Sequence, residues 1–127
     1  MMTDPRYPDL EVYVKTSDLD ELAAMLDQIL SLSPWDKSDS VYCARIDSQR
    51  GDSEVYLRPR AYKNFASIWI KKNVTPWSTD HDLALALGEK TNTEIRCSTG
   101  SWSDIESDEQ ALWWRIKNGI SKQVQWS

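Results

Sequence analysis

The chain has 127 residues, of which 40% are apolar, and a formal net charge of −5. This length fits one domain, and the composition excludes a disordered chain, a disulfide-dense scaffold and a membrane-spanning helix. There are two cysteines, and no apolar run approaches the ~18 residues that a membrane helix needs. The N-terminal Met1-Met2-Thr3-Asp4-Pro5 lacks the basic and apolar regions of a signal peptide. We therefore expect a cytoplasmic protein with no membrane partner.

The first half of the chain predicts a strand, a helix and three further strands. Apolar and polar residues alternate over Leu10–Val14, as in a half-buried strand. Asp18-Leu19-Asp20-Glu21 has the spacing of a capping box, and an apolar stripe that reaches Leu30 follows it. Pro34 ends this helix. The three predicted strands are Val41–Asp47, Glu54–Arg58 and Phe65–Lys71, with a turn at Gly51-Asp52 and a break or edge position at Pro59.

The second half predicts a helix from about Thr79 to about Lys90, a strand at Glu94–Ser98 and a C-terminal hairpin that turns at Asn118-Gly119. A two-residue turn would pair Trp113 with Val124. A three-residue loop with a glycine bulge would instead pair Ile116 with Ile120. The second register buries more apolar surface, and we therefore expect it. It places on one face Leu112, Trp114, Ile116, Ile120, Val124 and Trp126.

The predicted order of elements is β-α-β-β-β-α-β-β-β. Strand runs interrupted by two helices are typical of the α+β class. We expect one domain over residues 1–127, with a mainly antiparallel sheet of six or seven strands and both helices packed on one face.

Seven tryptophans and a single phenylalanine indicate recognition as well as packing, since an indole is favoured at interface anchors. Three tryptophans stand beside turn-forming residues, where they would either close helix ends or contact a partner. Trp113 and Trp114 are neighbours in a strand, so they cannot both enter one core. Trp113 with two adjacent bases would form either a binding hot spot or a homodimer seam. The candidate partner-binding residues are Trp35, Trp77, Trp102, Trp113, Arg115 and Lys117.

Charge is segregated along the chain. Residues 1–54 carry 12 acids and 5 bases, and residues 73–110 carry 8 acids and 2 bases. Residues 58–72 carry five bases, residues 111–127 carry three, and neither segment contains an acid. Separate acidic and basic surfaces are expected, and an acidic surface attracts basic proteins. We predict a small non-enzymatic protein-binding domain without a cofactor, of the immunity type that inhibits a basic toxin or nuclease.

An alternative function follows from the segment Lys63–Ile70, which resembles the RNP1 strand of RNA-recognition motifs, while Val12-Tyr13-Val14 resembles their RNP2 strand. The resemblance covers about a tenth of the chain and implies single-stranded RNA binding by stacking on strand aromatics. Asn64 and Ser67 replace the glycine and an aromatic of the motif, and the acidic balance opposes phosphate binding. The residues that would contact nucleic acid are Tyr13, Arg58, Arg60, Lys63, Phe65 and Trp69.

Catalytic chemistry has few candidates, and we predict no catalytic and no metal-ligating residue. His81 is the only imidazole, and it would need Cys43 or Cys97 as a nucleophile. We expect both thiols to be free, because the cytosol is reducing. A small metal-dependent hydrolase is the third hypothesis, and its carboxylates would come from Asp80, Asp82, Asp104, Glu106 and Asp108.

Overall fold

The computed structural model describes residues 7–16, 18–38, 40–98 and 112–125, with only the backbone of Leu112 and Gln125. These residues form eight strands and two helices. In chain order they are β1 (Leu10–Val14), α1 (Leu19–Asp27), β2 (Asp36–Lys37), β3 (Tyr42–Ser48), β4 (Gly51–Tyr62), β5 (Phe65–Ile70), α2 (Asp80–Gly88), β6 (Ile95–Ser98), β7 (Leu112–Lys117) and β8 (Ile120–Gln125). The strands form one antiparallel sheet in the order β2-β3-β4-β5-β1-β6-β7-β8. The predicted α+β fold with an antiparallel sheet is confirmed.

Both helices begin at the predicted caps. The Asp18 side chain accepts a hydrogen bond from the Glu21 amide at 3.2 Å, and Thr79 accepts one from the Asp82 amide at 3.2 Å. The first helix is shorter than its apolar stripe suggested. It ends at Asp27, and the last apolar residues form a turn in which the Leu30 amide donates to the Leu26 carbonyl at 2.9 Å. The apolar stripe therefore marks the residues that pack against the core in the helix and in the turn after it, and it does not give the length of the helix.

The core lies on the face of the sheet that the helices cover. Alternate residues of the central strands point to this face, so that Leu10, Val12 and Val14 of β1 are fully buried. Helix α1 packs against β4, and α2 packs against β1, β6 and β7. We call this side of the sheet the helix face and the other side the opposite face. Burial of each large aliphatic side chain on the helix face contributes about 2 kcal/mol.

Two strands differ from the prediction. The two-residue strand β2 was not predicted, because two residues are too few to show an alternation. Strand β4 extends past Pro59, and its register with β5 shifts between Arg58 and Tyr62. The expected break is therefore a bulge, in which Arg60 adopts a φ of 51°.

The predicted register of the C-terminal hairpin is wrong. Lys117 pairs with Ile120, and Trp113 pairs with Val124. Asn118 and Gly119 have φ angles of 55° and 78°, which is the type I′ turn whose twist matches that of paired strands. The backbone preference for this turn therefore outweighs the extra apolar burial that the three-residue loop would have given. Ile120 and Val124 consequently lie on the opposite face, and Ile120 is 59% exposed.

The type I′ turn makes a prediction about Gly119. A Cβ at this position would meet no atom within 4 Å, so replacement by alanine adds backbone strain without a steric clash. We expect Gly119→Ala to lower the free energy of unfolding by about 1 kcal/mol and Gly119→Asn to lower it less, since asparagine tolerates the left-handed region. Urea unfolding of the two variants measures the difference. Equal losses would contradict the turn assignment.

Candidate functional site

A groove of about 740 Å³ lies at the β3 end of the sheet. Its lining combines three carboxylates, one guanidinium, two hydroxyls and three aliphatic side chains. We call it the acidic groove, and it is lined by Asp27, Leu30, Ser31, Leu32, Ser33, Arg45, Ile46, Asp47 and Asp52. An arrangement of carboxylates beside apolar side chains is suited to a long basic side chain, because the methylene stem and the charged head are both accommodated.

The groove exists because the segment after α1 runs beside β3 without becoming a regular strand. Leu32 forms a single bridge with Ile46. The Ser33 amide donates to the Arg45 carbonyl at 3.0 Å, and the Asp47 amide donates to the Ser31 carbonyl at 3.2 Å. Pro34 has no N–H with which to extend this pairing. Regular pairing with β3 begins only after Pro34, in β2, where Asp36 pairs with Cys43 and Lys37 with Tyr42.

Trp35 and the end of α1 lie beside the acidic groove. The indole Nε1 of Trp35 donates to Asp27 Oδ1 at 3.3 Å, and the half-buried ring packs against the core. The last turn of α1 contains no basic residue. The negative end of the helix dipole is therefore added to the groove carboxylates, and both favour a bound cation.

The predicted partner-binding residues do not form one surface. Trp77 is half-buried against the core, and its carbonyl accepts hydrogen bonds from Asn73 Nδ2 at 2.9 Å and Thr75 Oγ1 at 3.2 Å. Trp102 lies outside the described residues. Three others, Trp113, Arg115 and Lys117, belong to β7 near the far end of the sheet. Among the described members of this set, only Trp35 adjoins the groove.

Of the three β7 residues, Arg115 is paired with a buried carboxylate. Glu94 Oε2 lies 2.6 Å from Arg96 Nε and 3.1 Å from Arg115 Nε. Burial alone would raise the pKa of Glu94, but the hydrogen bonds and charges of the two arginines together lower it. Trp113 contacts the ring of Tyr13 edge-on at a centroid distance of 5.9 Å. Lys117 is exposed.

Most residues of the RNA alternative reach the opposite face. Trp69 stacks on Tyr56 with ring centroids 5.5 Å apart, and the strand registers place Tyr13 and Arg58 in the adjacent row. Phe65 alternates onto the same face as Trp69, but it is only 5% exposed, and the Arg96 guanidinium lies 5.4 Å from its ring centroid. The remaining two, Arg60 and Lys63, adopt left-handed backbone angles where β4 turns into β5.

Carboxylates border the stacked pair. Tyr56 donates its hydroxyl to Glu54 Oε1 at 2.8 Å, and Trp69 Nε1 donates to Asp9 Oδ2 at 2.8 Å. The bond to Glu54, with burial as the next cause, raises the pKa of Tyr56 to about 12. These acids reduce the attraction of this part of the face for phosphate.

His81 packs against the hairpin. Its ring stacks on Trp114 with centroids 4.1 Å apart, and its Nε2 lies 3.2 Å from Ser121 Oγ. Burial lowers the pKa of His81 and raises that of Cys97. The two free thiols, Cys43 and Cys97, lie in strands that are not neighbours and point to different faces.

No three histidine, cysteine, aspartate or glutamate side chains within residues 7–16, 18–38, 40–98 and 112–125 converge as in a metal site. Of the acids of the hydrolase alternative, Asp104, Glu106 and Asp108 lie outside those ranges. Neither helix in the described part of the chain is long and apolar enough to cross a membrane. No protein-family model, curated protein or solved structure matches this chain.

Asp80 has a role that the sequence did not reveal. The pairing of β1 with β6 covers only Tyr13 and Val14 on the β1 side, so the amide of Glu11 lacks a strand partner there. The buried Asp80 carboxylate accepts a hydrogen bond from this amide at 2.9 Å. Burial raises the pKa of Asp80 from 3.8 to about 7, against the opposing effect of the Glu11 hydrogen bond.

A pH dependence of stability follows from this carboxyl group. Its pKa is higher in the folded state than in the unfolded state, so its contribution to stability is present below pH ~4 and is lost as the pH rises through ~7. Between pH 5 and pH 8 we expect this loss to be on the order of 2 kcal/mol. Asp80→Asn keeps an acceptor for the Glu11 amide but cannot ionise, so it should abolish this pH-dependent loss of stability. Urea unfolding at the two pH values tests this, and parallel pH profiles for the two proteins would contradict it.

Proposed function

We propose that this chain is a non-enzymatic protein-binding domain that receives a basic segment of its partner in the acidic groove. The observation that carries the proposal is the convergence of Asp27, Asp47 and Asp52 on one groove that also has aliphatic lining. Arg45 is the one base among the lining residues. An incoming arginine or lysine would meet an excess of negative charge and an apolar surface for its stem.

The surroundings of the groove favour encounter with a basic protein. In the described part of residues 18–52, seven exposed acids accompany three exposed bases, and one of the bases, Lys37, already lies 3.0 Å from Asp20. A surface with this excess steers a basic partner and raises its association rate. The acids are Asp18, Asp20, Glu21, Asp27, Asp36, Asp47 and Asp52.

The specific form of the proposal is an inhibitor of the immunity type, acting in the cytoplasm on a basic toxin or nuclease. Small size, an acidic surface and half-buried tryptophans support this form. Trp35 would supply the aromatic anchor beside the groove. Its indole is held by Asp27, so little side-chain entropy would be lost on binding.

Charge reversal in the groove tests the proposal. We expect Asp27→Lys combined with Asp47→Lys to weaken binding of a fluorescein-labelled nona-arginine peptide at least tenfold, because two attractive charges become repulsive. Fluorescence anisotropy at physiological ionic strength measures the affinity. Asp82→Lys combined with Glu89→Lys is the matched control, since it changes the net charge equally at exposed positions of α2 and its C-cap. Equal weakening by the two double variants would refute a specific role for the groove.

A second candidate function, single-stranded RNA binding, is favoured by one observation. The opposite face presents the stacked Tyr56 and Trp69, with Arg58 in the adjacent row. Sheet faces that bind RNA use strand aromatics in this way, with nearby bases contacting phosphates. The bordering carboxylates of Glu54 and Asp9 are the feature that speaks against it.

Binding of a labelled oligouridine tests this second candidate. RNA binding predicts an affinity that falls steeply with salt and that Trp69→Ala lowers about tenfold, because one base loses its stacking surface. Trp35→Ala, which removes an indole beside the acidic groove, is the control and should leave RNA affinity unchanged. Absence of binding at low salt would eliminate the candidate.

A further inference from the structure

The outer edge of β8 carries backbone groups that no described strand engages. β8 is the last strand of the sheet and pairs only with β7 among the described residues. In a type I′ hairpin the pair that flanks the turn, here Lys117 and Ile120, exchanges hydrogen bonds inward, and every second pair does the same. The intervening residues Ser121, Gln123 and Gln125 therefore direct their N–H and C=O groups outward.

This edge lacks most of the features that normally prevent strand addition. β8 is six residues long and contains neither proline nor a bulge. Its single charged residue is Lys122. Exposed edges of this kind are templates for an added strand. The type I′ turn at Asn118 and Gly119 sets the register in which β8 pairs with β7.

The charge of the edge is basic. Strands β7 and β8 contain Arg115, Lys117 and Lys122 and no acid. Lys122 lies directly opposite Arg115 in the strand pairing, and the Arg115 guanidinium is already engaged with Glu94 at 3.1 Å. Neither β7 nor β8 supplies an acid for the exposed Lys122, so an acidic side chain on an added strand would meet a cation there.

We propose that the β8 edge binds an extended acidic segment of another protein as an additional strand of the sheet. The side chains of Ile120, Lys122 and Val124 share the opposite face and alternate as apolar, basic, apolar. The complementary segment therefore has the pattern apolar-x-acid-x-apolar. Its central acid lies across from Lys122, and its apolar residues cover Val124 and the exposed Ile120.

A second copy of this chain fits the same edge less well. Two β8 strands related by a twofold axis at Gln123 would place each Lys122 beside Val124 of the other copy. No ion pair would form, and the two basic hairpins would approach one another. The charges therefore favour an acidic strand of a different protein. This surface is independent of the acidic groove, and a negative result for one leaves the other unaffected.

A peptide with the inferred pattern tests the proposal. We use the capped peptide TVTETVT, in one-letter code, and the matched peptide TVTKTVT, with amide hydrogen exchange and chemical shifts of the full chain as readouts. The glutamate peptide should bind about tenfold more tightly than the lysine peptide, and it should protect the amides of Ser121, Gln123 and Gln125. Lys122→Glu should reverse the preference between the two peptides. Lys90→Glu, an equal change of charge at an exposed position beyond α2, should not.

Backbone pairing is tested separately from charge. Gln123→Pro removes one outward N–H and should abolish binding of the glutamate peptide. Methylation of alternate peptide amides makes the same test without altering the protein. Unchanged exchange at the three amides with saturating peptide would overturn the proposal. Dimerisation without peptide, seen by sedimentation and lost in Gln123→Pro, would also overturn it, because a second copy would then occupy the edge.

Discussion

The central position of β1 is the constraint on which the rest of this structure depends. β1 comes first among the strands along the chain, yet it lies between β5 and β6 and pairs antiparallel with both. Its buried residues contact the helix-face core from the middle of the sheet. This insertion divides the chain, because β2 to β5 lie on one side of β1 and β6 to β8 on the other. Such long-range pairing costs loop-closure entropy, which the burial of Leu10, Val12 and Val14 must offset.

The incomplete pairing of β1 explains the buried carboxylate of Asp80. β5 is paired along all five residues of β1, whereas β6 is paired with only two. The unpaired amide of Glu11 would be costly if it had no acceptor, and the first residue of α2 supplies one. Placing a carboxylate there has its own cost, since burial disfavours its charged form. The joint between the two halves of the sheet thus contains a carboxyl group whose burial raises its pKa to about 7.

Local patterns predicted local structure well in this chain. Both helix starts were predicted correctly because a cap bonds to an amide only three residues further along the chain. Asp18 bonds to the Glu21 amide, and Thr79 bonds to the Asp82 amide. The hairpin register was wrong because apolar burial was weighed above the backbone angles of Asn118 and Gly119, although the Asn-Gly dipeptide itself contained the correct answer.

The acidic groove could not have been found from the sequence. Asp47 and Asp52 are partners in the β3–β4 hairpin, but only the tertiary fold brings Asp27, at the end of α1, next to them. The stacking of His81 on Trp114 is equally non-local, since the two residues are joined only by the packing of α2 on β7. Composition predicted an acidic surface and tryptophan anchors. Which acids and tryptophans lie next to one another depends on the order of the strands, which composition does not specify.

The order of the strands separates the acidic groove from the C-terminal hairpin, whose strands contain no acid. Six strand spacings of about 4.8 Å separate β3, which lines the acidic groove, from β8, a distance of roughly 29 Å. The Debye length at physiological ionic strength is about 8 Å, so exposed charges at one end are largely screened from the other. The net charge of −5 is therefore not the charge that a ligand would encounter at either end of the sheet. A charged group near β3 would meet the groove carboxylates, whereas one near β8 would meet the exposed Lys117 and Lys122. One sheet of this width can present two surfaces of opposite charge that act independently.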